Sequence, residues 1–169
     1  MATLAADGSM YRPHLAAHVD NVRTGERREV QPVLLKQVAF KPENIEFVQR
    51  AMAGVNREGT GARAFANARY TSAGKTGTAQ VIGLKQGEKY DEKKVSERHR
   101  DHSLFIAFAP VESPKIALAV VVENSGFGAR AAAPLARIVL DYFLLGKLPE
   151  PAEKPGPAAR PPEAEEGND

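Results

Sequence analysis

Leu104-Phe-Ile-Ala-Phe-Ala109, then Pro110-Val-Glu-Ser-Pro114, then Ile116-Ala-Leu-Ala-Val-Val-Val122 is the stretch that decides the fold. Two apolar runs of strand length, rich in β-branched and aromatic residues, are separated by a short connection with proline at each end. A parallel pair would need a crossover of a dozen or more residues, so these strands form an antiparallel hairpin. Both runs are nearly continuous in apolar residues, which predicts cover on both faces, in part by helices.

Working outward, Ala131 to Leu145 places Leu135, Ile138, Val139, Tyr142 and Phe143 on one stripe, with Gly146 as its stop. On the other side, Ile45, Val48, Met52 and Val55 recur at helical spacing after Pro42, and Gly59-Thr60-Gly61 ends that helix near Asn56. Residues 1–10 read as the end of a helix stopping at Gly8. Arg12 to Val19 and Glu29 to Val38 read as strands around a Thr24-Gly25 turn. Ile82 to His102 is too polar and charged to be core. The order of strands, helix, strands and helix gives α+β, an antiparallel sheet flanked by helices.

Composition narrows the classes. The 169 residues suit one domain, and the absence of cysteine excludes a disulfide scaffold, a thiol nucleophile and a cysteine-based zinc site. The longest unbroken apolar run, Ile116 to Val122, is far short of the ~20 residues of a membrane span. No basic flank or long apolar core marks a signal peptide at the start. The tail from Pro149 to Asp169 holds 6 of the 12 prolines, 6 acids and 2 bases. It cannot bury enough apolar surface to offset its ordering entropy, so residues 148–169 are expected to be disordered and residues 1–147 to form the domain. The body is mildly basic, but its bases are scattered among acids, which argues against nucleic-acid binding.

The strongest chemical signal is Gly74-Lys75-Thr76-Gly77-Thr78, which admits three readings. A nucleotide-binding P-loop would need its first glycine at position 69, which is Arg69, and a helix after Thr76, where Ala79-Gln80-Val81-Ile82 looks like strand. Ser72-Ala-Gly-Lys75 matches a Ser-x-x-Lys nucleophile motif, but on a strand residues i and i+3 point to opposite faces. The third reading is a Lys-Thr-Gly edge strand lining an acyl-transfer site. Lys75 then supplies fixed positive charge, Gly77 leaves room for a peptide along the strand, the Thr78 N–H faces a developing oxyanion, and threonine hydroxyls hold a carboxylate. A surface turn with a solvated lysine is the bland alternative, and the motif alone does not choose. His14, His18, His99 and His102 lack metal spacing, so neither a metal nor a cofactor is expected. Asn124-Ser-Gly126 reads as a turn, with Glu123 and Asn124 as residues that could shape a site rim.

The context chooses. Ala2-Thr-Leu-Ala-Ala-Asp-Gly8 with Pro13-His14, then Gly59-Thr60 and Ala73-Gly-Lys-Thr-Gly-Thr-Ala-Gln-Val81, open a pattern that covers nearly the whole body. Gly83-Leu-Lys85, Glu97-Arg98, Asp101-His102, Phe108-Ala-Pro110, Val120-Val-Val-Glu-Asn124 and a closing helix to Leu145-Gly146 continue it. In these residues the chain resembles the C-terminal half of the transpeptidase domain of class B penicillin-binding proteins, a serine β-lactamase-like fold, and most closely the elongation type.

The resemblance implies a peptidoglycan D,D-transpeptidase. In that family a serine attacks the D-Ala-D-Ala end of a stem peptide, and β-lactams acylate the same serine. Lys75 is similar to the family's third-motif lysine and Thr76 and Thr78 to its carboxylate-binding hydroxyls. The Thr78 N–H matches half of the oxyanion hole, and Gln80 sits where the strand borders the ligand. The glycan polymerase RodA and the scaffold MreC are the implied partners of the whole protein, which in the family is anchored on the periplasmic side of the inner membrane by an N-terminal helix. The family's Ser-x-x-Lys and Ser-x-Asn motifs have no counterpart here in a suitable setting. The chain is therefore expected to be a fragment with one of three catalytic motifs and no turnover alone. The rivals are a non-catalytic binding or scaffold domain of the same fold and a nucleotide-binding protein.

Overall fold

The computed structural model describes residues 1–83, 90–91 and 94–147. The expectations for residues 148–169, and for Leu84 and Lys85 of the polar segment, lie outside the described residues. Within them the chain is α+β, with three antiparallel sheets.

The chain opens with a short helix, α1 (Ala2–Ala5), which ends short of the expected stop at Gly8. Gly8 has φ +90, and a Cβ there would lie 2.6 Å from the Val38 carbonyl oxygen, so only glycine fits this exit. In place of the two strands expected at Arg12 to Val19 and Glu29 to Val38, four short ones run between residues 9 and 37. β1 (Ser9–Tyr11) pairs with β4 (Leu34–Gln37), and β2 (His18–Asp20) pairs with β3 (Arg27–Glu29). Pro13 and Pro32, which have no N–H to give a ladder, stand between the two pairings. The β2–β3 turn is built as read. The Asn21 side-chain oxygen accepts the Arg23 and Thr24 N–H groups, and Gly25 takes φ +72.

α2 (Pro42–Arg57) starts with proline in its first turn, as expected, and runs one residue past Asn56. Its buried side follows the predicted stripe in part, with Met52 and Val55 half-buried. Ile45 is buried, but Val48 is exposed and the buried residue of the last turn is Asn56. After a short α3 (Ala62–Phe65), β5 (Ala73–Ala79), β6 (His102–Ala109) and β7 (Ile116–Val122) form one antiparallel sheet in that order. Phe105 stands opposite Thr76 on one side and Val120 on the other. It is fully buried, its ring stacked 5.7 Å from that of Phe65.

Two expectations about cover are corrected. α4 (Ala132–Leu145) does lie over the sheet and ends at Gly146 in the left-handed conformation. Its buried face, however, is Ala132, Ala133, Ala136 and Leu140, while Leu135, Val139, Tyr142 and Phe143 are exposed. Small side chains let the helix axis approach the sheet, and there they pack with Phe105, Ala107 and Ala109. Periodicity alone favours the stripe of larger apolar residues and so selected the wrong side. The sheet is likewise covered unequally. Ile116, Leu118, Val120 and Val122 face the core, but Ala117, Ala119 and Val121 alternate outward, Val121 with 60% exposure. A polar tie fixes α4 to the α3 region. Tyr70 Oη donates to Asp141 at 2.8 Å, and Arg137 bonds both Asp141 and the Ala64 and Ala66 carbonyls. Burial and the Asp141 carboxylate push the Tyr70 hydroxyl well above its usual pKa.

Candidate active site

β5 is one of the two edge strands of its sheet among the described residues, and the Lys-Thr-Gly sequence sits in its middle. The register with β6 puts Lys75 opposite Ile106, Thr76 opposite Phe105, Gly77 opposite Leu104 and Thr78 opposite Ser103. Lys75 and Gly77 therefore share one face and Thr76 and Thr78 the other. Lys75 is exposed and its Nζ donates to the Thr76 carbonyl oxygen at 2.8 Å. Thr78 and Gln80 are exposed as well, whereas Thr76 is half-buried.

The strand removes two readings. Gly-Lys-Thr runs straight through β5, so there is no loop opening onto a helix N-terminus, and the P-loop reading fails. A Cβ on Gly74 would lie 2.5 Å from the Phe105 ring, which gives that glycine a packing reason instead. Ser72 is only 8% exposed, and its hydroxyl accepts from Asn56 Nδ2 at 2.9 Å, not from Lys75. A lysine two residues into the strand cannot activate it. Ser96 does lie 3.1 Å from His99 Nδ1 on a one-turn 3-10 helix, Glu97–His99. That is a local i, i+3 contact in an exposed segment, and among the described residues no carboxylate bond to the His99 ring accompanies it.

Three contacts that hold β5 in place were not foreseen in the sequence. The first is Asn56, whose amide ties the end of α2 to Ser72 and whose Oδ1 fills the space that a Cβ on Gly61 or Gly74 would need. The second is Asp101, half of the Asp101-His102 pair. It is buried, its carboxylate accepts the Val81 N–H, its own N–H meets Tyr90 Oη, and its carbonyl accepts the Gly126 N–H. The end of β5, the polar segment and the loop after β7 thus meet at one residue. His102 beside it is a structural histidine, its Nδ1 accepting the Asn124 N–H at 3.0 Å. Asn124 itself takes φ +53 in the expected turn.

The third contact is Gly128. A Cβ there would lie 2.4 Å from the Leu104 carbonyl oxygen and 2.5 Å from that of Gly77, so the loop crosses directly over the Lys-Thr-Gly backbone. The spacing Gly126-Phe-Gly128 after a strand was the available signal. Gly128→Ala is expected to destabilise by about 1–3 kcal/mol, the usual cost of overpacking. In a domain of this size that lowers the melting temperature by several degrees. Gly83→Ala, with nothing within 4 Å of its Cβ, is the control and should melt like the parent.

A cavity lies away from this strand. It has about 520 Å³, is lined by Arg50, Asn56, Phe65, Tyr70 and Glu112 among others, and includes none of residues 75–80. The Lys-Thr-Gly face is an open strand edge, which suits a ligand laid along it more than one enclosed.

Residues 1–141 match the model of the penicillin-binding protein transpeptidase domain. The chain belongs to that family. Among the family's curated members, the peptidoglycan D,D-transpeptidase MrdA of Haemophilus influenzae is 39% identical over 150 residues, 87% of this chain and 23% of the relative. The chain thus spans about a quarter of that relative's length. Among solved structures, Pseudomonas aeruginosa PBP2 in complex with WCK 5153 superimposes with a TM-score of 0.63 at 36% identity. The match covers 88% of this chain and 29% of that one. The imipenem acyl-enzyme of penicillin-binding protein A from M. tuberculosis gives 0.63 at 27% identity, covering 85% and 28%. The Helicobacter pylori complex of PBP2 with MreC gives 0.53 at 26% identity, covering 70% and 20%. These structures share the mixed fold of helices and antiparallel sheets described above.

Proposed function

We propose that this chain forms the Lys-Thr-Gly half of the active site of a peptidoglycan D,D-transpeptidase. The observation that carries the reading is the placement of Lys75-Thr-Gly77 at an exposed strand edge, in a chain of this family. The substrate is a stem peptide ending in D-Ala-D-Ala. A serine from the part of the enzyme beyond this chain attacks the penultimate carbonyl carbon, the peptide C–N bond breaks, and D-Ala leaves. The acyl group then passes to the amine of a neighbouring stem, releasing the serine. β-Lactams stop at the first step, as the imipenem acyl-enzyme of the M. tuberculosis relative illustrates.

Each residue here has a part in that chemistry. Lys75 brings a fixed positive charge to the site where negative charge develops. Thr76 and Thr78 offer hydroxyls to the ligand carboxylate. The Thr78 N–H is one of two oxyanion donors, a kind of contact whose loss costs about 10²–10³ in rate. Gly77 leaves the strand bare so that the peptide can lie on it, and Gln80 borders its far end. RodA and MreC are the partners proposed for the whole protein, MreC supported by the H. pylori complex. Its place is the periplasmic face of the inner membrane. No helix among the described residues is long and apolar enough to cross a membrane.

A scaffold domain that keeps the fold without catalysis is the competing reading, and penicillin labelling separates the two. Lys75→Ala in the full-length protein is expected to slow acylation by a fluorescent penicillin at least 100-fold with little change in melting temperature, because Lys75 is exposed. No labelling of the parent would favour the scaffold, and labelling indifferent to Lys75 would remove Lys75 from the site.

A further inference from the structure

The loop after α2 brings a second hydroxyl to the Lys-Thr-Gly strand. Thr60 Oγ1 lies 2.9 Å from Thr76 Oγ1. The loop that carries it can take only this path because of its glycines. A Cβ on Gly59 would stand 2.8 Å from Val55 Cα, and one on Gly61 would stand 2.5 Å from Asn56 Oδ1. The Gly59 and Gly61 N–H groups bond the Gly54 and Val55 carbonyls, folding the loop onto the end of α2. Thr60 sits between them, exposed, with its hydroxyl held against the strand.

Two hydroxyls that share one bond can be polarised in either direction. If Thr76 donates to Thr60, its only proton is spent and it can offer a carboxylate nothing but lone pairs. If Thr60 donates to Thr76, the Thr76 proton is free to point at a ligand, and a hydroxyl that accepts one bond is a better donor in the next. An anionic ligand selects the second polarity.

We propose that Thr60 is a positioning residue: it donates to Thr76 Oγ1 and so directs the Thr76 O–H toward the carboxylate of the acyl ligand. This rests on the reading of Thr76 as a carboxylate-binding hydroxyl. Thr60 does not touch the ligand, and its effect must therefore depend on the ligand's charge. The loss of its bond is worth about tenfold in rate, the size of one neutral hydrogen bond.

The test uses the full-length protein and two probes, a penicillin and its methyl ester, which lacks the anionic carboxylate. Second-order acylation rates are measured for the parent, Thr60→Val, Thr60→Ala, Thr60→Ser and Thr76→Val, with thermal melting as the check on folding. Thr60→Val and Thr60→Ala should each lose about tenfold on the penicillin and less than twofold on the ester, and Thr60→Ser should stay within twofold of the parent on both. Equal losses on both probes, no loss on the penicillin, or failure of serine to preserve the rate would each overturn the proposal. Thr76→Val locates such a failure. If it keeps the parent's preference for the acid over the ester, the reading of Thr76 itself falls and Thr60 with it. If it loses that preference while Thr60→Val does not, only the role of Thr60 falls.

Discussion

Gly77→Val in the full-length protein is expected to abolish labelling by a fluorescent penicillin while the domain still folds. The backbone at Gly77 is not in the left-handed region, so a β-branched residue is compatible with the strand. Its Cβ would meet the Leu104 Cβ at 3.1 Å, a contact that a shift of a few tenths of an ångström in that half-buried side chain relieves. The cost to stability is therefore about 1–3 kcal/mol, a shift of several degrees in melting. The cost to binding is far larger. The two methyl groups of valine project from the face that Gly77 shares with Lys75, across the path of any acyl group laid against the strand. Normal labelling in a folded Gly77→Val protein would remove this strand from the site.

The hairpin Leu104 to Val122 was legible because its apolar runs, their length and the short proline-bounded connection all agree with the observed β6–β7 pair. The helix after Pro42 and the left-handed Gly146 were legible for the same reason: proline and glycine act locally, and tertiary context has little room to override them. The faces were not. α4 buries its alanines and exposes Leu135, Val139 and Tyr142, because closeness of approach to a sheet decides burial there and hydropathy does not. Asn56 in the last turn of α2 shows the same limit. A buried asparagine is recognisable only once Ser72, Gly61 and Gly74 are in place around it.

At the candidate site, the sequence identified the strand but not its supports. Lys75 to Gln80 are consecutive, so one motif delivers them together. Thr60, Asp101 and Gly128 reach β5 from 16, 20 and about 50 residues away, through a loop, a buried carboxylate and a backbone crossing. The Gly126-Phe-Gly128 spacing marks a turn, but local pattern does not single out Gly128 within it. The three-dimensional contact with the Gly77 backbone does.

The second large effect is an absence. An acyl enzyme needs a hydroxyl made nucleophilic by a neighbouring base, together with donors aimed at the oxyanion. Residues 1–169 offer donors and the Lys75 charge, but Ser72 is buried against Asn56 and Ser103 is fully buried beside Ala132. Ser96 bonds His99 and lies off the Lys-Thr-Gly strand. Intact-mass spectrometry after incubation with a penicillin is the direct measurement, made in parallel on residues 1–169 and on the full-length protein. The expected result is an unchanged mass for the chain alone and one stoichiometric penicilloyl adduct on the full-length protein, borne by a serine outside these residues. A stoichiometric adduct on residues 1–169 that disappears in Ser72→Ala or Ser96→Ala would contradict it.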